Sequence, residues 1–182
     1  MGSKEHHTPM TGTPNVKTAL NTALGELDSV IGRVGAADVA LMGQSETGGT
    51  DGGDASAATF NVRPLEEFVD SDGLVAIASD RFTPEAGTYL LVSEGITGLA
   101  TGNARLQLYN YTQSSVVFTG ESIDEDNNSS AVLMCVFTAD GSDAYEIRQY
   151  TENAQSGLGL GPDDGAGLGD EMYLDAMIVR FA

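Results

Sequence analysis

Tryptophan is absent from this 182-residue chain, cysteine occurs once, histidine twice, and Lys and Arg together number only 8. Each shortage closes off a class of chemistry. Set against 27 Asp and Glu, the basic residues leave a formal charge of −19, so a surface that grips phosphate by charge is excluded and nucleic acid is not an expected partner. Cys135 cannot form an internal disulfide alone, and in the apolar run Ala131–Phe137 it reads as an inert core thiol. His6 and His7 adjoin one another near the start of the chain, which leaves a histidine triad or a zinc site in the rest without an imidazole. Without Trp there is no large platform for stacking sugars. No apolar run approaches the roughly 20 residues of a membrane span, and Met1–His7 lacks the apolar stretch of a secretory signal, so no membrane partner is expected. Lys17-Thr18 lacks the glycines of a phosphate loop, and Gly157–Gly161 runs into Pro162 and acidic residues instead of a helix. The expectation is a protein that is not an enzyme and has no cofactor. Asp70-Ser71-Asp72-Gly73 and Asp124–Asn128 offer several oxygens in short loops, but neither has calcium-loop spacing. They read as solvated turns, and no metal site is assigned.

Aromatic residues are missing from the first 59 positions, which locates the core in the remainder. Charge divides the same way. Residues 1–42 hold three basic residues (Lys4, Lys17, Arg33) against four acidic ones (Glu5, Glu26, Asp28, Asp38), a net of −1, so −18 lies beyond. Thr13-Pro14-Asn15 supplies helix-start chemistry, and Leu20, Leu24, Leu27, Ile31 and Val34 then follow at spacings of four and three, an apolar seam of about two heptads. Gly25 and Gly32 weaken this helix by about 1 kcal/mol each, so it needs a partner to pack against. Val39–Met42 is a second short apolar stretch. The segment 43–58 begins with five Gly in fourteen residues and no large apolar side chain, which reads as a linker. The expected organisation is an anchor segment over 1–42, a linker over 43–58 and a β-domain over 59–182.

Beyond Ala58 the pattern becomes short runs of period-two alternation bounded by Gly, Asp, Asn and Pro. Strands are predicted at 59–62, 74–78, 88–93, 105–111, 115–119, 131–138, 145–151 and 172–181. In Arg105–Tyr111 the leucines take one face and Arg105, Gln107 and the tyrosines the other. Ala131–Phe137 is apolar on both faces, as a strand would be if a second sheet covered one side and a neighbouring subunit the other. Ser156–Asp170, rich in Gly, reads as a long flexible loop. With no helical pattern between the strands, the fold class is mainly β, an antiparallel sandwich or jelly roll preceded by a short helical segment.

Three stretches carry a resemblance. Phe82-Thr83-Pro84-Glu85-Ala86-Gly87-Thr88-Tyr89 resembles the F-T-x-x-x-G-x-Y pattern of the tumour-necrosis-factor and complement globular-head jelly rolls. Asp143–Tyr150 resembles their penultimate strand and Tyr173–Phe181 their closing strand, in the same order and spacing. The resemblance implies a compact homotrimer, and jelly rolls of this kind in bacteriophages serve as head fibres, decoration proteins and fibre tips. The function it implies, taken with the division above, is a capsid decoration or head-fibre protein in the virion, with a receptor-recognising fibre tip as the alternative. Its partners would be further copies of itself and a major capsid protein or another virion protein. Leu20, Leu24, Leu27, Ile31, Val34, Leu41 and Met42 are then the candidates for the capsid anchor, and Leu133, Cys135, Phe137, Tyr109 and Tyr150 for the trimer interface.

Overall fold

The structure, a computed structural model, describes residues 38–70, 72–98, 101–124, 130–163, 165, 167 and 169–181. The predicted helix with Leu20, Leu24, Leu27, Ile31 and Val34 lies outside the described residues. Within them every regular element is a strand: β1 (Val39–Glu46), β2 (Thr59–Val62), β3 (Glu66–Asp70), β4 (Val75–Ala78), β5 (Arg81–Pro84), β6 (Ala86–Ile96), β7 (Ala104–Asn110), β8 (Ser115–Thr119), β9 (Ser130–Asp140), β10 (Tyr145–Thr151) and β11 (Glu171–Phe181). They form two antiparallel sheets, ordered β3-β1-β11-β6-β9 and β4-β5-β10-β7-β8, with β2 on the β5 side of β10. This is the jelly-roll sandwich that the alternation predicts.

The core lies between the sheets, where alternate side chains of facing strands meet. Leu91, Leu133, Leu174 and Ile178 from the first sheet and Leu106, Leu108 and Ile147 from the second are fully buried, each contributing about 1.5–3 kcal/mol. Phe82, Phe137, Tyr89 and Tyr145 form an aromatic cluster at one end, with ring centroids 5.2–6.4 Å apart. At the other end Arg63 is wholly buried without a carboxylate. Its Nη1 donates to the carbonyl of Leu160 at 2.7 Å, to that of Ile96 and to Gln149 Oε1, and its Nη2 donates to the carbonyl of Tyr173 at 2.5 Å. One planar fork therefore ties β6 and β11 of the first sheet to β10 of the second. Burial pushes its guanidinium down to about 9, which still leaves it charged at neutral pH.

Two of the sequence boundaries need correction. The β-domain starts at Val39, not at residue 59, and the proposed linker over 43–58 holds half of β1 and a packed segment. Gly43 looks like linker composition but is a close approach between strands: a Cβ there would sit 2.0 Å from the Leu174 carbonyl oxygen and 2.9 Å from the Phe68 ring. Ser156–Asp170 is likewise no free loop in its first part. Gly53 donates to the Gly157 carbonyl at 2.8 Å, Leu160 donates back to Gly53 at 3.1 Å, and Ala55 and Gln155 exchange a pair of hydrogen bonds. The two glycine-rich stretches pack on each other, which is why both are rich in glycine.

Candidate functional site

Register builds a surface on the outer face of the first sheet. Because strand side chains alternate, the residues that do not enter the core line up across four strands in rows. One row is Val39, Val179, Leu90 and Val136, and the next is Leu41, Met177, Val92 and Met134, both without a polar side chain. Val69 of β3 extends the second row beside Leu41. The third row is Gly43, Asp175, Glu94 and Val132. Exposure is high for this amount of carbon: Met134 is 63% exposed, Val136 61% and Val132 49%. A groove of about 480 Å³ runs over β1, β11 and β6 between Leu41, Phe68, Val92, Met172 and Met177. Where β9 meets β8 at the sandwich edge, Phe118, Val132 and Met134 line a second one.

Alternation in β9 corrects three of the interface candidates. Leu133, Cys135 and Phe137 point into the sandwich core, and the residues facing outward are Val132, Met134 and Val136. The doubly apolar strand is real, but the sequence does not say which parity is covered by the second sheet. Met42 is corrected for the same reason. It is buried in the core, while Leu41 beside it joins the outer face, so neither belongs to a separate anchor. Cys135 is enclosed, and burial pushes its thiol up to about 11.

Tyr109 and Tyr150 lie on the opposite side of the molecule, on the outer face of the second sheet. The structure does not bring them together with the β9 residues. They belong to a ladder of arginines and rings: Arg148 stacks 3.3 Å over Tyr109, Arg81 stacks 3.5 Å over Tyr111, and Arg105 lies 5.3 Å from the Tyr150 ring centre. Glu146, 1% exposed, sits between Arg81 at 2.8 Å and Arg148 at 2.5 Å. This face is thus internally paired, each cation spent on a ring or a carboxylate.

The acidic loops are also accounted for in part. Asp70 accepts from the backbone of Leu74 and Val75 at 2.8 Å each, closing the turn between β3 and β4. Asp140 caps its own turn through the backbone of Ser142 and Asp143, which holds its carboxyl below the usual range. Among the described residues no three His, Cys, Asp or Glu side chains come together as a metal site.

No protein-family model matches the sequence, and curated proteins give no match. Solved structures do match. Murine APRIL, in its crystal structure at pH 8.0, superposes with a TM-score of 0.52 at 14% identity, over 79% of this chain and 98% of that one. Eiger TNF from S. frugiperda gives a TM-score of 0.52 at 10% identity, over 80% of this chain and 93% of that one. The chain has the tumour-necrosis-factor-like jelly-roll fold.

Proposed function

We propose that this chain is a non-enzymatic structural protein that assembles as a homotrimer through its β-domain and serves as a capsid decoration or head-fibre protein of a virus particle. The observation that carries the self-association is the outer face of the first sheet. Leu41, Val69, Val132, Met134, Val136 and Met177 on it are each more than a third exposed, a contiguous apolar patch of the kind that marks an interaction surface. On a chain of net charge −19 a face with two uncharged rows is where copies can approach with least repulsion. A heteropartner would gain nothing from charge there, whereas a second copy brings a matching apolar surface. The broad face over β1, β11 and β6 and the β8–β9 edge meet at Val132 and Met134, and packing of one on the other of a second copy closes a ring when the rotation between copies closes. Three is the number that the jelly-roll resemblance implies.

The virion role rests on the segregation of charge. Residues 1–37 carry three basic and three acidic residues, a net of 0, and the remainder −19, so the β-domain is suited to face water and the N-terminal segment to meet another protein. With Leu41 and Met42 assigned to β1, the anchor reduces to the seam Leu20, Leu24, Leu27, Ile31 and Val34. The experiment mixes particles lacking the protein with wild-type trimer or with Leu24→Asp/Ile31→Asp and pellets them. Buried unpaired carboxylates cost several kcal/mol, about enough to abolish co-sedimentation of the variant. Equal co-sedimentation of both would overturn the anchor.

A further inference from the structure

The third row of the apolar face contains two carboxylates directly opposite one another, Asp175 on β11 and Glu94 on β6. Like charges in this cross-strand position, with Cβ atoms about 5 Å apart, repel. Neither has an ion-pair or hydrogen-bond partner for its side chain among the described residues. Flanking them in the row are Gly43, which has no side chain, and Val132, and in the row above are Leu41, Met177, Val92 and Met134. Of the other elements, β9 turns Val132 and Ser130 towards this end of the face, β1 turns Ser45, and β3 brings Glu66, whose carboxylate is held by the Ser45 hydroxyl and amide. None of the described arginines reaches the pair. Arg63 is interior, Arg81, Arg105 and Arg148 lie on the other sheet, and Arg180 is engaged by Glu85 and Asp38.

Closing this face against another copy removes water from two adjacent carboxylates that no cation of their own chain neutralises. A negative pair cannot be buried so, and a shared proton is the least disruptive remedy. We propose that self-association through the first sheet is coupled to proton uptake by the Asp175–Glu94 pair, so that acidification tightens the assembly and alkaline pH loosens it. This rests on the self-association proposed above.

The sign follows from which state holds more protons. In the free chain the Asp175 carboxyl already lies above its ordinary value, first through desolvation and then through the charge of Glu94. Burial in an interface pushes it further in the same direction, so the assembly binds more protons than its separated copies. The association constant therefore rises as pH falls from neutral towards the ordinary carboxylate range near about 4. One proton per pair in a trimer amounts to as much as about 1,000-fold per pH unit, and one proton per trimer to about tenfold.

The test is sedimentation of the full chain between about pH 5.5 and about pH 8.5 at roughly 0.15 M salt, with a urea dissociation midpoint replacing dilution if the assembly is tight. Wild type is compared with Asp175→Asn/Glu94→Gln and with a control of equal charge change, Asp124→Asn/Glu152→Gln, at exposed positions beside the start of β7 in the second sheet. The expected result is tightening of wild type by about tenfold or more per unit of acidification, a flattened slope and at least about tenfold tighter assembly at neutral pH for the face variant, and the wild-type slope for the control. A wild-type slope retained by the face variant, or flattened equally by the control, would overturn the coupling in favour of general charge repulsion. Tightening by calcium with no pH slope would overturn it in favour of a cation. Wild type that stays monomeric at every pH would instead overturn the self-association itself.

Discussion

Arg63 shows how a single side chain can organise a fold that its neighbours in sequence do not suggest. It follows a four-residue strand and precedes Pro64, yet its guanidinium reaches backbone carbonyls at Ile96, Leu160 and Tyr173. Nothing local to positions 60–66 announces this, because the acceptors come from three distant segments and none is a charged residue. Replacing it by Met keeps much of the volume but strands those carbonyls, at an expected cost of about 3 kcal/mol or more in urea unfolding of the chain. Lys should recover little of that, since one ammonium cannot reproduce the fork. Stability within about 1 kcal/mol of wild type for Arg63→Met would show that the clamp does not hold the sheets together. Cys135 gives a second test at this scale. Its enclosed, high-pKa thiol should react with a thiol reagent at least about 100-fold more slowly in the native protein than in urea, and rapid native labelling would place it on an accessible face.

Among the elements, β9 separates two roles by parity. Met134→Asp and Val136→Asp are expected to prevent self-association while leaving unfolding of the sandwich within about 1 kcal/mol of an unassociated wild-type domain, because both side chains already face water. Leu133→Asp puts a carboxylate into the core and should prevent folding, at several kcal/mol by about the same measure as any buried unpaired charge. Circular dichroism and sedimentation on the three variants distinguish these outcomes, and association retained by both outward variants would move the interface elsewhere. Most strands were legible because they alternate cleanly or carry a run of Val, Leu, Ile, Tyr and Phe. Of the three missed, β1, β3 and β5, two have plain physical reasons. β3, Glu66-Glu67-Phe68-Val69-Asp70, is a charged edge strand, whose side chains discourage further pairing and erase the alternation. β1 is interrupted by Gly43, and only the opposing Leu174 carbonyl explains why a glycine must stand there. Which face of β9 meets the second sheet was beyond reach for a similar reason: parity relative to the core is set by strands far away in sequence.

For the molecule as a whole, two apolar surfaces and one internally paired face account for how a chain of net charge −19 could still assemble. The jelly roll itself was legible from order and spacing of three short motifs, whereas the candidate surface was not, since its rows exist only once β1, β11, β6 and β9 are set side by side. Removal of residues 1–37 should leave the unit Asp38–Ala182 folded and associating, because that unit holds the sandwich core between its two sheets. The most direct measurement is sedimentation equilibrium of that unit at micromolar concentration. The expected result is a single species of three times the chain mass that falls to one chain mass on Val136→Asp. A monomer of unchanged β-structure in the unsubstituted unit would contradict self-association through the first sheet.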